Sequence, residues 1–202
     1  QVQCTPFNKT TQMITYAPYF ISSVVLVGMM YTIFSPSSGV VNAIIRDLGG
    51  EPIFFMGRSD TFLAMYVGSE VWQNSGWNAV VYLAALAAVS PELHESALID
   101  GANRFQRIRY IDLPSIMPTI ITMFLLQIGR LFTVGFDKSY LMQNSLNQTV
   151  SEVLSTFSYK RGLLEGDFSY ATAVGLMESG VNFILLLFFN IVAKRTTDTS
   201  LW

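Results

Sequence analysis

The side chains with chemical potential in this sequence are polar groups set inside strongly apolar stretches. Glu70, Gln73, Asn74, Trp77 and Asn78 lie close together in one such stretch, and they cluster on one face if a helix continues through Gly76. At about 100° of rotation per residue, Thr119, Gln127, Arg130, Thr133 and Asp137 share one side of a second stretch. Ala171, Gly175, Glu178, Ser179 and Asn182 share a sector of a third, while Ile184, Leu185 and Phe188 point elsewhere, toward lipid or packing. A charge at the centre of a membrane helix costs about 2.5 to 3.5 kcal/mol on insertion scales, so such groups face a bundle interior or a wet cavity. The stripes could line one route, with Asn74, Trp77, Gln127, Arg130, Glu178 and Asn182 as its candidate residues. They could also glue helices together, at about 0.6 kcal/mol per hydrogen bond. Taken singly, each residue is better explained by gluing, and Trp72 and Trp77 are better explained as packing or interfacial anchors.

Reaction chemistry does not assemble elsewhere. His94 is the single histidine and has no second ligand, so no four-ligand zinc site is expected, and the single cysteine, Cys4, cannot form an internal disulfide. Glu165 and Asp167 resemble a carboxylate pair without a nucleophile or acid–base partner. Neither a G-x-x-x-x-G-K-[ST] phosphate loop nor a dinucleotide fingerprint occurs, so any nucleotide-derived energy has to arrive from a partner. Asn8-Lys9-Thr10 and Asn147-Gln148-Thr149 fit the glycosylation pattern, which is short enough to arise by chance. Gly162 and Gly166 form a G-x-x-x-G outside any expected span, where it has no expected packing role. No catalytic residue is assigned.

The elements that must position these groups are membrane helices. The chain is 51% hydrophobic and only 13% charged, against about 25% charged in an average globular chain, and its mean hydropathy is +0.41. Twelve Lys and Arg against fourteen Asp and Glu leave no basic field for nucleic acid. A bilayer core about 30 Å thick takes about 20 mostly apolar residues as helix. That length predicts spans over residues 16–34, 61–89, 115–136 and 169–193 of one transmembrane domain covering 1–202. Pro18 sits where an early helical turn tolerates it, Gly76 supplies a break in the long second span, and Pro114 and Pro118 lead into the third. Residues 35–60 and 137–168 are longer connections with turn signals such as SPSSG and LGGEP. The first residue is Gln1, and no signal-peptide pattern opens the chain, so a fragment is expected.

The short connection 90–113 carries Arg104, Arg107 and Arg109, which places it on the cytoplasmic side by the positive-inside rule. Alternation then puts 35–60 and 137–168 outside and Lys194 and Arg195 inside. In this connection Pro91 suits a first helical turn, Glu92 and Glu95 favour the positive end of the helix, and Leu93, Ala97 and Leu98 give it an apolar stripe. Gly101 can end it. A short amphipathic helix outside the membrane should dock in a groove on a partner.

Glu95-Ser96-Ala97, three residues, Gly101, nine residues, then Ile111, one residue and Leu113-Pro114 resembles the E-A-A signature of ABC importer permeases. Asp100-Gly101-Ala102 and Pro118 add to it; Ser96 stands where alanine is usual, and its small side chain should still fit. QMITYAPYFISSVV, SGVVNAII, GWNAVVYLAALAAV, VGFD and FSYATAVGLMES look like the carbohydrate-uptake branch with polysaccharide-type permeases. The resemblance implies an all-α type I permease bundle in the bacterial inner membrane, with one or two spans upstream of this chain. It implies contact of Glu95, Ser96, Ala97 and Gly101 with an ATPase subunit dimer that binds the ATP, no cofactor in this chain, a second homologous permease and an extracytoplasmic solute-binding protein. Oligosaccharides are the implied solute, for which amides, a few charges and an aromatic would suit hydroxyls and ring faces; Glu178 or Arg130 could instead pair within the bundle or with the second permease. A same-architecture permease for peptides or amino acids, or a membrane enzyme using Glu70, Arg130 or Glu178, are the alternatives.

Overall fold

The computed structural model describes residues 6–132 and 135–197, and every regular element among them is helical. In chain order these are α1 (Pro6–Tyr16), a 3-10 turn (Ala17–Phe20), α2 (Ser23–Ile33), α3 (Val40–Asp47), α4 (Ser59–Ala87), α5 (Pro91–Ile99) and α6 (Arg104–Arg107). A π turn (Ile108–Asp112), α7 (Leu113–Ile128), α8 (Phe136–Met142), α9 (Gln148–Ser151), α10 (Leu154–Tyr159), a second π turn (Lys160–Leu164) and α11 (Phe168–Thr197) follow. Two compact units divide the chain: Gln1–Gly76 with Phe132–Met177, and Trp77–Leu131 with Glu178–Trp202.

In the first unit, the segment expected as one span over 16–34 is broken. The helical run Thr10–Phe20 and the helix Ser23–Ile33 meet at 98°. Pro18 lacks an N–H and obstructs the turn before it, and Ser22, in an extended conformation, starts a new helix by accepting the Val25 N–H. The core here is Leu26, Val27, Met30, Met56, Phe62 and Met142, each contributing about 1.5 to 3 kcal/mol of apolar burial. Two of these, Met56 and Met142, come from the segments expected as loops. Asn42 draws the first of those segments together: its amide donates to the Phe34, Ser35 and Ile53 carbonyls at 3.0–3.1 Å, and its oxygen accepts the Ile53 N–H at 2.7 Å. The second segment forms α8 to α10 rather than an open connection.

The expected break at Gly76 does not occur: α4 runs unbroken from Ser59 to Ala87. One glycine costs a helix only about 1 kcal/mol, and here it leaves room for a neighbour. A Cβ on Gly76 would collide with the Thr15 carbonyl, so the glycine permits α1 to lie directly against α4. At 29 residues α4 is long enough to cross a bilayer, but Glu70, Gln73, Asn74 and Asn78 leave it outside the set that is both long and apolar enough. That set is Arg104–Ile128 and Phe168–Arg195, with the bent pair Thr10–Phe20 and Ser23–Ile33 as a third if it counts as one span.

In the second unit the connection expected over 90–113 is shorter. The Asn103 side chain accepts the Gln106 N–H while the Gln106 side chain accepts the Asn103 N–H, so the next helix already starts at Arg104. The π turn then precedes Pro114, whose ring would crowd the Tyr110 carbonyl in a regular α-helix. α7 stops at Ile128, short of the expected 136. α7 and α11 pack through the edge of Phe124 on Phe189, with ring centroids 5.8 Å apart, and through Gly129, where an added Cβ would lie 2.8 Å from Leu186. Ile184 and Phe188 stand exposed on α11, while Leu185 is half-buried. An apolar face left this open suits hydrocarbon rather than water.

Candidate functional site

The strongest site is the α5 element of the second unit. Ser90 accepts the Glu92 N–H, and Pro91 occupies the first turn, where its missing donor costs nothing. The helix closes in a Schellman arrangement: Ala102 N–H donates to the Ala97 carbonyl at 2.8 Å and Gly101 N–H to the Leu98 carbonyl at 3.1 Å. Gly101 holds φ at +76°, a left-handed conformation that only glycine adopts without a Cβ penalty. Of the four expected contact residues, Glu95, Ser96 and Gly101 are exposed and Ala97 is half-buried. Ser96 Oγ turns back to donate to the Leu93 carbonyl at 3.2 Å, so its polarity is absorbed within the helix. Leu93, Leu98 and Ile99 stand 48%, 55% and 87% exposed. No residue of α5 is buried, so Leu93, Leu98 and Ile99 stand outside the buried core of this chain.

His94 does not stand alone. Its Nε2 lies 3.2 Å from Asp112 Oδ1, at the end of the π turn. Eighteen positions separate the two along the chain, so spacing alone does not pair them, and the tight turn through Gly101 reverses the chain.

The candidate route residues divide between the two units. In the first, Asn74 donates to Glu70 Oε1 at 2.7 Å, and Lys138 donates to Glu70 Oε2 at 2.8 Å. Lys138 is 3% exposed, with the Tyr66 ring 5.4 Å from its ammonium, whereas the Glu70 side chain remains 50% exposed. The lysine expected in an outward loop is therefore a buried cation, compensated by one carboxylate and an aromatic face. Phe136, Tyr140, Leu141 and Met142 beside it in the sequence are a signal that this segment packs rather than loops. Gln73 is buried and donates to the Ile21 carbonyl at 2.7 Å, so it ties helices together.

In the second unit Trp77 is 43% exposed and Asn182 is buried. Gln127, Arg130 and Glu178 form no side-chain hydrogen bond or ion pair among the described residues. Of the two alternatives for Arg130 and Glu178, pairing within the bundle is therefore not seen among the described residues. The expected helical stripe through Gln127, Arg130, Thr133 and Asp137 also fails: α7 ends at Ile128, Asp137 belongs to α8, and Thr133 lies outside the described residues. On α11, Glu178 and Asn182 remain one turn apart on one face.

Other motifs receive structural explanations. Asn147 is fully buried, donating to the Met56 and Met142 carbonyls at 2.8 and 2.9 Å and accepting from the Asn144 N–H and Ser151; its side chain is closed to glycosylation. Glu165 pairs with Arg161, and Asp167 caps α11 through the Tyr170 N–H, so they do not act as a carboxylate pair. Gly162 is a correction: a Cβ there would lie 2.5 Å from Ala171 Cβ, so this glycine does permit close packing, against the start of α11.

The arrangement defines a class of protein: a helical membrane protein that presents a short uncovered helix between two longer ones. The family described as "Binding-protein-dependent transport system inner membrane component" matches residues 5–198, and this chain belongs to it. Protein LplB of Bacillus subtilis (strain 168) is 39% identical over 202 residues, covering 100% of this chain and 64% of that protein. The polygalacturonan/rhamnogalacturonan transport system permease protein YteP of the same organism is 35% identical, covering 100% and 63%. This chain therefore spans a little under two thirds of the length of these relatives. The crystal structure of a bacterial alginate ABC transporter in complex with alginate pentasaccharide-bound periplasmic protein contains a chain that superposes with a TM-score of 0.94 at 35% identity, over 100% of this chain and 70% of that one. The fold is that of a type I ABC importer permease.

Proposed function

We propose that this chain is part of a transmembrane permease subunit of an ABC importer that moves oligosaccharides by alternating access. α5 docks on a separate ATPase that binds the ATP, and the whole works in the bacterial plasma membrane with a second homologous permease and an extracytoplasmic solute-binding protein. The observation that carries this reading is α5 itself: Glu95 exposed, Leu93, Leu98 and Ile99 uncovered, and Gly101 at φ +76° closing the helix. A helix with no buried residue makes sense as a surface that a partner covers. The relatives named for polygalacturonan, rhamnogalacturonan and alginate support a glycosidic solute.

In this mechanism ATP binding draws the two ATPase subunits together, each carries its docked helix, and the helices joined to α5 tilt. The solute-binding protein and ATP must favour one arrangement by differential affinity, because equal affinity for both shifts nothing. Asn74, Trp77, Gln127, Arg130, Glu178 and Asn182 are proposed to face the solute route. The exposed side chains of Gln127 and Arg130 offer a donor set suited to hydroxyls.

The test is uptake of labelled oligosaccharides into vesicles holding the full importer, beside ATPase-subunit co-purification, for the parent and Glu95→Lys. Loss of both co-purification and uptake supports docking through α5. Intact assembly and uptake in Glu95→Lys would overturn it, and turnover of a sugar in detergent without ATP or partners would mark an enzyme instead.

A further inference from the structure

Docking alone leaves the contact between His94 and Asp112 without a purpose. His94 projects from α5, and Asp112 closes the π turn that leads into α7. The imidazole Nε2 lies 3.2 Å from Asp112 Oδ1, with the two side chains 30% and 24% exposed. Along the backbone, α5 is tied to the following helix only through Asp100, Gly101, Ala102 and Asn103. Gly101, at φ +76°, has no Cβ to stiffen this turn, and a helix joined by such a turn alone can swing about it. The His94–Asp112 contact closes a ring on the other side of the turn. It lands at the π turn, where the regular α-helical bond register is already interrupted.

We infer that His94 and Asp112 are positioning residues that join the docking helix to the membrane helix as one lever. A displacement delivered at Glu95, Ser96 and Ala97 then passes into α7 instead of being absorbed by bending at Gly101. A partly exposed polar contact of this kind adds little to folding, so its effect belongs to transmission rather than to stability. The inference rests on the proposed docking of α5, and the test separates the two.

The importer is assembled with its ATPase, second permease and binding protein in proteoliposomes. Cys4→Ser removes the sole native thiol of this chain, and Gln127→Cys reports on α7 through its rate of reaction with a water-soluble methanethiosulfonate. The readout is the ratio of that rate with and without ATP. In His94→Ala and Asp112→Ala the ATP-dependent change in rate is expected to shrink about fivefold, while ATPase-subunit association in Asp112→Ala, which lies outside α5, stays at the parent level. His94→Lys, which places an ammonium facing Asp112, and the exchange of His94→Asp with Asp112→His are expected to recover the response to within about twofold. An undiminished response in both alanine variants overturns the inference, as does a loss that neither restoring variant repairs. Retained ATPase association in Glu95→Lys would instead mean that α5 is not the docking helix.

Discussion

At the residue scale, the deciding quantity is what a polar group in an apolar bundle finds to bond. Lys138 is buried against half-exposed Glu70, and Asn74 fixes the second carboxylate oxygen. Removing one partner of a buried pair costs more than the pair contributes, because the other charge is stranded. Glu70→Gln should therefore lower stability by about 3 kcal/mol, the low end for such a deletion since Glu70 keeps some solvent. Glu70→Gln combined with Lys138→Met should recover most of that loss, as read by thermal unfolding in detergent; equal losses in single and double variants would contradict the account. Outside the spans, the Asp60 carboxyl is held below the usual carboxylate range, first by the hydrogen bond from Arg58. Because its folded value lies below its unfolded one, its small contribution is complete above the ordinary aspartate range and disappears as the pH falls through the lowered value. Asp60→Asn should remove that part of the acid-side dependence in pH-resolved unfolding curves.

At the element scale, glycines and prolines set where helices bend and where they touch, and sequence spacing reads these two outcomes unequally. Pro18 and Ser22 together turned one expected span into two helices at 98°, whereas Gly76 broke nothing. The difference is physical: proline removes a donor and adds a clash, while a glycine inside a helix only lowers its stability slightly. What Gly76 provides is contact, since any side chain there meets the Thr15 backbone. Gly76→Leu should push α1 off α4 and cost about 1 to 3 kcal/mol as overpacking, while Gly68→Leu, where no atom lies within 4 Å of an added Cβ, should cost far less. Comparable losses for the two in detergent unfolding would show that helix propensity, not contact, is what matters at Gly76. The Asn103–Gln106 capping box was likewise present in the letters, but the long connection masked how early it starts a helix.

At the scale of the whole molecule, hydrogen-bonded amides convert what read as connections into structure. Asn147 joins Met56, Met142 and Ser151, and Asn42 performs the same task over 34–53. Truncating Asn147 to alanine leaves several buried groups unpaired, each worth about 1 to 3 kcal/mol. Hydrogen exchange should then quicken around Met56 and Met142 together while α7 stays protected; exchange confined to the mutated turn would sink the idea of a shared keystone. The sequence by itself determined the membrane class, the uncovered helix with its Glu95, Ala97 and Gly101, and the family resemblance, because apolar length, capping residues and a fixed motif are properties of neighbours along the chain. Only the tertiary structure decided that His94 meets Asp112, that Lys138 is buried against Glu70, and that Gln127 and Arg130 stand at the end of a helix rather than along one. Those outcomes depend on which distant segments come within hydrogen-bond reach, and periodicity carries no information about that distance.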